Sequence, residues 1–317
     1  MQGSLGILIT NTVTPDSPSV PDVKRYLKSF LSDPKVVRLP KFIWRPLLNY
    51  IILPRRSPYS ASLYQKIWTQ RGSPLRYIMQ DLAAKLEQHI NEDGIHVFVE
   101  VGMHYGNPSI QSAIEKLVSK GITELLVLPL YPQYSTSTTE SGYKITKEAL
   151  QSFKSLPAKF AGSYAQHPAY IDAIAKQIAL QHDPNNFLLF SFHGLPQKFV
   201  DKGDPYADEC MQTAELVAKQ LNLSKASWGL SYQSRFGFSK WLEPNLEDVL
   251  KELPNRGIYN LTIVCPGFSI DCLETLEEVK LRAKELFFAS GGKSFQYIDS
   301  LNATQLHINA LKKILLQ

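Results

Sequence analysis

Asn260-Leu-Thr-Ile-Val-Cys265-Pro-Gly-Phe-Ser-Ile-Asp271-Cys-Leu-Glu274-Thr-Leu-Glu-Glu278 reads as an apolar strand, a Pro-Gly turn and the opening of a helix. A strand that runs without alternation into a helix is half of a βαβ unit, because a strand buried on both faces belongs to a parallel sheet whose crossovers are helical. The helix start carries Asp271, Glu274 and Glu278 at i, i+3 and i+7, a spacing that predicts one acidic face. Like charges so placed repel by about 0.2–0.5 kcal/mol per pair, so the row calls for a reason.

The same alternation extends in both directions. Strand-like runs occupy residues 5–11, 95–101, 124–129, 159–162, 187–192, 226–231 and 295–298, besides 260–265, and helical periodicity fills most of the gaps. Eight strands separated by helices predict an α/β chain with parallel sheets. They divide into two sets of four, giving domains over residues 1–165 and 166–317 that meet at a cleft, since no Gly/Ser linker separates them. The last helical run, residues 303–315, could pack on either half. Helix starts are signed by Ser19-Val-Pro-Asp22, a capping-box variant, and by Ser73-Pro74 and Asn107-Pro108, each read as a cap followed by an N1 proline.

Composition narrows the function. The 317 residues hold 34 basic and 29 acidic side chains, a net charge of +5, with no basic run interleaved with aromatics, which argues against nucleic acid. The N-terminus enters a strand without a charged n-region or cleavage site, so a cytoplasmic setting is expected. Three cysteines, Cys210, Cys265 and Cys272, lack C-x-x-C spacing and are one short of a four-thiolate cluster, so neither a disulfide framework nor an iron–sulfur centre is expected. There is no G-x-S-x-G, H-E-x-x-H or G-x-G-x-x-G, and Gly291-Gly-Lys-Ser294 precedes a strand, as a phosphate loop does not.

The unusual residues gather where strands end: Asn11-Thr-Val-Thr-Pro15, Gly102-Met-His-Tyr-Gly-Asn-Pro108, Pro129-Leu-Tyr-Pro-Gln-Tyr134, Ser191-Phe-His-Gly-Leu-Pro196, Ser231-Tyr-Gln-Ser-Arg-Phe-Gly237 and Pro266-Gly-Phe-Ser-Ile-Asp271. Open α/β sheets bind ligands at the carboxyl ends of their strands, so these loops are expected to line the cleft, with His193 and His104 opposite the helix-start carboxylates.

Ser191-Phe-His-Gly-Leu-Pro196, Gly203-Asp-Pro-Tyr206, Gln233-Ser-Arg-Phe-Gly237, Trp241-Leu-Glu-Pro244, Pro266-Gly-Phe and Asp271-Cys-Leu-Glu-Thr-Leu-Glu-Glu278 together resemble the bacterial ferrochelatases. So do Tyr26-Leu, Phe30-Leu-Ser-Asp-Pro34, Gly72-Ser-Pro74 and Tyr131-Pro-Gln-Tyr-Ser135, and the likeness spans nearly the whole chain. The resemblance implies two Rossmann-like, chelatase-type domains and insertion of ferrous iron into protoporphyrin IX to give protohaem, the last step of haem biosynthesis. Iron is then a substrate, with no tightly bound cofactor. A coproporphyrin or cobalt chelatase is the alternative reaction, and a catalytically silent tetrapyrrole or metal binder the alternative of another class.

By the same resemblance His193 and Glu274 are the catalytic and metal-binding pair, with Asp271 and Glu278 as a proton or metal relay; the residues leave open which of the pair binds iron and which takes the proton. Neutral imidazole is suited to accepting a pyrrole proton near pH 7, and oxygen and nitrogen donors hold ferrous iron without the grip of thiolates. Without the resemblance, a strand-end His is a hydrogen-bonded structural residue and a first-turn carboxylate a dipole complement. Porphyrin-binding positions carried over are Thr12, Arg56, Tyr64, Ser73, His104, Tyr105 and Trp241, of which Tyr64 and Trp241 equally suit core packing. This chain departs from the family at Val13, where glycine is usual, and at His104, where arginine is usual and a titratable group is expected instead. Residues 42–53, flanked by Lys35, Arg38, Lys41, Arg55 and Arg56, are too short to span a bilayer; they read either as an apolar lip meeting the inner membrane peripherally or as packing against a neighbouring helix.

Overall fold

The computed structural model describes residues 4–33, 37, 39–237 and 239–316; Lys35, Arg38 and Pro34 of the motifs above lie outside them. The eight expected strands are present: β1 (Ser4–Asn11), β2 (Val97–Met103), β3 (Ile122–Pro129), β4 (Ala158–Phe160), β5 (Phe187–His193), β6 (Trp228–Gln233), β7 (Asn260–Val264) and β8 (Ser294–Ile298). They form two four-stranded sheets, ordered β2-β1-β3-β4 and β6-β5-β7-β8, with every pairing parallel. The two sheets wind identically, so the chain repeats its topology without repeating its sequence.

The chain divides into two compact units, Met1–Leu130 with Thr136–Gly162, and Tyr131–Ser135 with Ser163–Gln317. The split falls three residues before the expected boundary, and one loop crosses it. Tyr131–Ser135 follows β3 but is held in the second unit: Gln133 Nε2 donates to Thr213 Oγ1 at 3.0 Å, the Tyr134 N–H to Glu209 at 2.7 Å and Ser135 Oγ to Asp204 at 3.0 Å. These partners sit on or before one helix, Tyr206–Gln220.

Each core follows from its strands. Ile7, Leu8 and Ile9 of β1, and Leu188, Leu189 and Phe190 of β5, are completely or almost completely buried on both faces, as the central strand of a covered parallel sheet must be. In the first unit Leu8, Leu125 and Val127 pack against Ile110, Ile114 and Leu117 of the Ile110–Ser119 helix. In the second, Leu189 and Ile263 pack against Val279, Ala283 and Phe287, which are the buried face of the helix opened by Glu274. The terminal helix, Gln305–Leu315, packs on the Pro168–Gln181 helix and so belongs to the second unit.

All three expected helix starts are built differently from the reading. Ser19 does accept from the Asp22 N–H, but the Asp22 carboxylate accepts from Ser17 Oγ at 2.6 Å and not from the Ser19 N–H, because aspartate is one methylene too short for the capping-box return. Ser73 stands at the N-cap position of the Pro74–Asn91 helix without a capping bond; its hydroxyl is 2.6 Å from Thr14 Oγ1 instead. After Pro108 it is Ser109 that caps, accepting from the Ser112 N–H at 3.1 Å.

Candidate active site

In the second sheet the neighbours β5 and β7 leave in opposite directions, to β6 and β8, and the loops leaving their carboxyl ends flank this switch point. Such a point is where open α/β sheets bind ligands. His193 is the last residue of β5, and the loop after β7 leads to Glu274.

The tautomer of His193 follows from one contact. Its Nδ1 lies 2.6 Å from the carbonyl oxygen of Gly194; a carbonyl only accepts, so Nδ1 carries the hydrogen and Nε2 presents a lone pair to a proton or a metal. Tyr206 Oη donates to the His193 carbonyl at 3.0 Å, fixing the strand end. Gly194 has no alternative here: a Cβ would stand 2.6 Å from the Gln233 carbonyl oxygen and 3.1 Å from the Trp241 ring.

The acidic row is not the α-helical face the spacing suggests. Residues Glu274–Ala283 form a wide π-helix, continued by an α-helix over Lys284–Ala289. Its bonds run i→i+5, a rare geometry that recurs at functional sites. Asp271 stands before the helix and is 3% exposed. Its carboxylate accepts from Thr275 Oγ1 at 2.8 Å, Tyr297 Oη at 2.7 Å and Asn302 Nδ2 at 2.6 Å, and from the Ser300 N–H at 3.4 Å. Glu274 and Glu278 are within the helix and half-buried. Gln233 Nε2 donates to the Glu274 carbonyl at 2.8 Å, and Gln233 Oε1 accepts from Ser191 Oγ at 2.8 Å, so the end of β6 ties the helix start to β5.

Glu278 is bound by a residue that the sequence marked only as part of the loop after β6. Ser234 adopts a left-handed backbone, φ +64°, and gives Glu278 both its N–H at 2.7 Å and its hydroxyl at 2.6 Å. Burial pushes the Glu278 carboxyl above its ordinary range; the two Ser234 bonds, the nearby His193 and Arg282 pull it back. Arg282 also reaches Glu277, a carboxylate buried on the same helix, at 3.3 Å. Among the described residues, no group of three or more His, Cys, Asp or Glu side chains converges as a metal cage. The thiols of Cys210, Cys265 and Cys272 are all buried, and burial raises each well above the usual thiol range.

The positions that the resemblance implies for porphyrin binding fall in both units. In the second, Trp241 is 7% exposed, with its indole N–H donated to the Phe236 carbonyl at 2.9 Å. In the first, Tyr64 is 5% exposed and meets Tyr26 and Trp68 edge-on, while Tyr105 is buried with its hydroxyl donated to Asp33 and near Ser141. Ser73 is buried against Thr14; Thr12 is half-buried and Arg56 exposed. The backbone at the first loop continues the sheet past β1, as the His104 N–H donates to the Asn11 carbonyl and the Tyr105 N–H to the Thr12 carbonyl. His104 does not titrate near neutrality as expected. It is buried beside Thr10, in space that a Cβ on Gly142 would fill to 2.4 Å from its ring, and burial lowers its pKa to about 4 despite Asp33.

The segment read as a lip is helical throughout: α over Lys41–Leu47, π over Leu48–Ile52, α again over Leu53–Ile67. It is two-faced. Leu48 and Leu53 are buried and Trp44 donates its indole N–H to the Leu31 carbonyl at 2.7 Å, whereas Phe42 is 79% and Tyr50 82% exposed. No helix among the described residues is long and apolar enough to cross a membrane.

A doubly wound pair of parallel sheets with a histidine and an acidic helix at a switch point defines a chelatase-type protein. Solved structures agree on the fold: SirB from Bacillus subtilis superposes with a TM-score of 0.58 at 12% identity, covering 98% of this chain and 96% of that one. CbiX, described as the terminal enzyme of sirohaem biosynthesis in denitrifying bacteria, gives 0.52 at 13% identity over 98% of both. The family model for ferrochelatase matches residues 4–317, and the chain belongs to the ferrochelatase family. Ferrochelatases from Actinobacillus pleuropneumoniae serotype 5b and Aeromonas hydrophila are 48% and 43% identical to it, covering 98% and 99% of this chain and 97% and 98% of their own. As a member of that family it is a lyase that inserts iron into a porphyrin in haem biosynthesis.

Proposed function

We propose that the porphyrin is protoporphyrin IX and the metal ferrous iron, with His193 and Glu274 as the reacting pair. The observation that carries the assignment is the His193 tautomer: with Nδ1 committed to the Gly194 carbonyl, the Nε2 lone pair is available to a pyrrole N–H. Metallation releases two pyrrole protons. His193 accepts one, and Glu274 and Glu278 carry protons or the incoming cation along the wide helix. Glu278 fits a carrier, since burial raises its carboxyl above the ordinary range while the two Ser234 bonds favour its charged form. Iron is a substrate in this scheme and no resident cofactor takes part; three cysteines fall short of a four-thiolate cluster, and their buried thiols resist ionisation.

Tyr64, Tyr105, Ser73 and His104 in the first unit and Trp241 in the second are already packed or hydrogen-bonded, so the proposed part of each is to shape the porphyrin-binding surface of its own unit, while exposed Arg56 is suited to a propionate and half-buried Thr12 to a polar edge contact. Phe42, Ile43, Tyr50 and Ile51, with Lys41, Arg45, Arg55 and Arg56 on the same helical stretch, are suited to peripheral contact with the anionic surface of the inner membrane from the cytoplasmic side. Anaerobic incubation with ferrous iron and either protoporphyrin IX or coproporphyrin III tests the reading. Appearance of the metalloporphyrin spectrum with protoporphyrin supports it. Faster turnover of coproporphyrin moves the assignment to that substrate, and binding without turnover of either identifies a silent binder.

A further inference from the structure

Asn302 lies in the turn between β8 and the terminal helix, and all four of its polar groups are used. Its N–H donates to the Ser269 carbonyl at 2.9 Å, its carbonyl accepts from His307 Nδ1 at 2.6 Å, its Oδ1 accepts from the Asp271 N–H at 2.9 Å and its Nδ2 donates to the Asp271 carboxylate at 2.6 Å. The backbone is left-handed, φ +51°, a conformation asparagine tolerates better than most residues. Only an amide meets Asp271 in this way, offering an acceptor to the backbone N–H and a donor to the carboxylate at once.

We propose that Asn302 is a positioning residue for metal insertion, acting through Asp271 to fix the start of the helix that presents Glu274, and that Asp271 is the anchor of that helix and not a member of the relay. The inference rests on the assignment of Glu274 above. Asp271 meets Asn302, Tyr297 and the Ser300 N–H on the side of β8 and its following turn, and Thr275 on the side of the helix. Thr275 in turn accepts from the Cys272 N–H at 3.0 Å, closing the turn immediately before Glu274. With Gln233 holding the Glu274 carbonyl from β6, the reacting carboxylate is located from two strands. A carboxylate with four donors already upon it, and 3% exposed, is a poor station for a travelling proton or cation.

The exchange D271N/N302D tests this, because it keeps a donor and an acceptor facing each other while moving the charge: the new amide oxygen can still accept from Thr275 and Tyr297, and its nitrogen can donate to the new carboxylate. Single-turnover insertion of ferrous iron, porphyrin affinity by fluorescence quenching and thermal midpoints are measured on the full chain and on N302A, N302D, D271N, T275V and the exchange, all well below their midpoints. N302A, D271N and T275V are expected to slow insertion by roughly tenfold to 10²-fold, the scale of a displaced reacting group, with porphyrin affinity kept. N302D, which sets carboxylate against carboxylate, is expected to be worst, and the exchange to recover most of the loss. An exchange as slow as D271N would overturn the proposal, since the charge at 271 would itself be needed. So would N302A or T275V with a lowered midpoint and full rate. T275V leaves Asn302 and the turn after β8 in place, removing the Thr275 bonds to Asp271 and to the Cys272 N–H on the helix side, and carries the test if the Asn302 variants do not fold. Absence of insertion by the unaltered protein would strike instead at the assignment of Glu274 on which the inference stands.

Discussion

Glu278 is held between opposing influences: burial favours its neutral form, and Ser234, Arg282 and His193 favour its charged one. A glutamine there keeps an acceptor for the Ser234 N–H, and the Ser234 hydroxyl can turn to accept from the new amide. Glu278→Gln is therefore expected to be neutral to slightly stabilising at pH 7 by chemical denaturation, yet to slow insertion in single-turnover assays. A stability loss of more than about 2 kcal/mol with normal rate would make Glu278 a structural ion. The places of His193 at a strand end and of Glu274 and Glu278 in the helix that follows β7 were legible in the sequence, because strand-end and helix-start positions follow from local pattern, whereas their proposed roles came from the family resemblance. Ser234 and Asn302 were not legible. Each owes its place to a left-handed backbone and to a partner 44 or 31 residues away in the chain, neither of which leaves a periodic trace.

At the scale of the element, the wide helix shows where pattern reading fails. Asp271, Glu274 and Glu278 have the spacing of an α-helical face, but in the i→i+5 register the helix begins at Glu274 and brings Arg282 to Glu277, five residues earlier. In an α-helix those two would point about 140° apart. Nothing in residue spacing announces a register that tertiary bonds from Gln233 and Ser234 help to hold. The 41–67 helix makes a second case, since its apolar residues serve both readings. Trp44 is pinned to the Leu31 carbonyl, whereas Phe42 and Tyr50 point to solvent. Replacing Phe42 and Tyr50 by serine is expected to weaken co-sedimentation with anionic vesicles several-fold, as lost apolar insertion implies, without changing cooperative unfolding. Unaltered vesicle binding would leave the exposed face without a membrane role.

For the whole molecule, each unit carries a buried histidine with a pKa lowered to about 4, His104 in the first and His307 in the second. Above the ordinary value of about 6.5 both are neutral folded or unfolded. As pH falls below it the unfolded chain takes protons that the folded chain refuses, so stability is lost progressively down to about pH 4, by at most about 3 kcal/mol for each group. Glu278, with its raised pKa, works in the other direction as it gains a proton in the folded state. The two histidines, joined by His182, whose pKa burial also lowers, act against Glu278, and the denaturant midpoint is expected to fall between pH 6.5 and 4, with His307→Gln flattening the fall. An unchanged slope in that variant would show that His307 is not a source of it. The two-sheet architecture was legible because buried parallel strands are continuous apolar runs. The crossing of Tyr131–Ser135 into the second unit was not, since it depends on Thr213, Glu209 and Asp204, which lie far along the chain.

The central claim, that His193 takes a pyrrole proton during metal insertion, is tested most directly by His193→Ala in an anaerobic single-turnover assay with ferrous iron and protoporphyrin IX, followed by the metalloporphyrin spectrum beside porphyrin binding by fluorescence. An interaction that matters mainly in the transition state predicts a rate lowered by roughly 10²–10⁴-fold with porphyrin affinity retained. A variant that inserts iron at the rate of the unaltered protein would contradict the account.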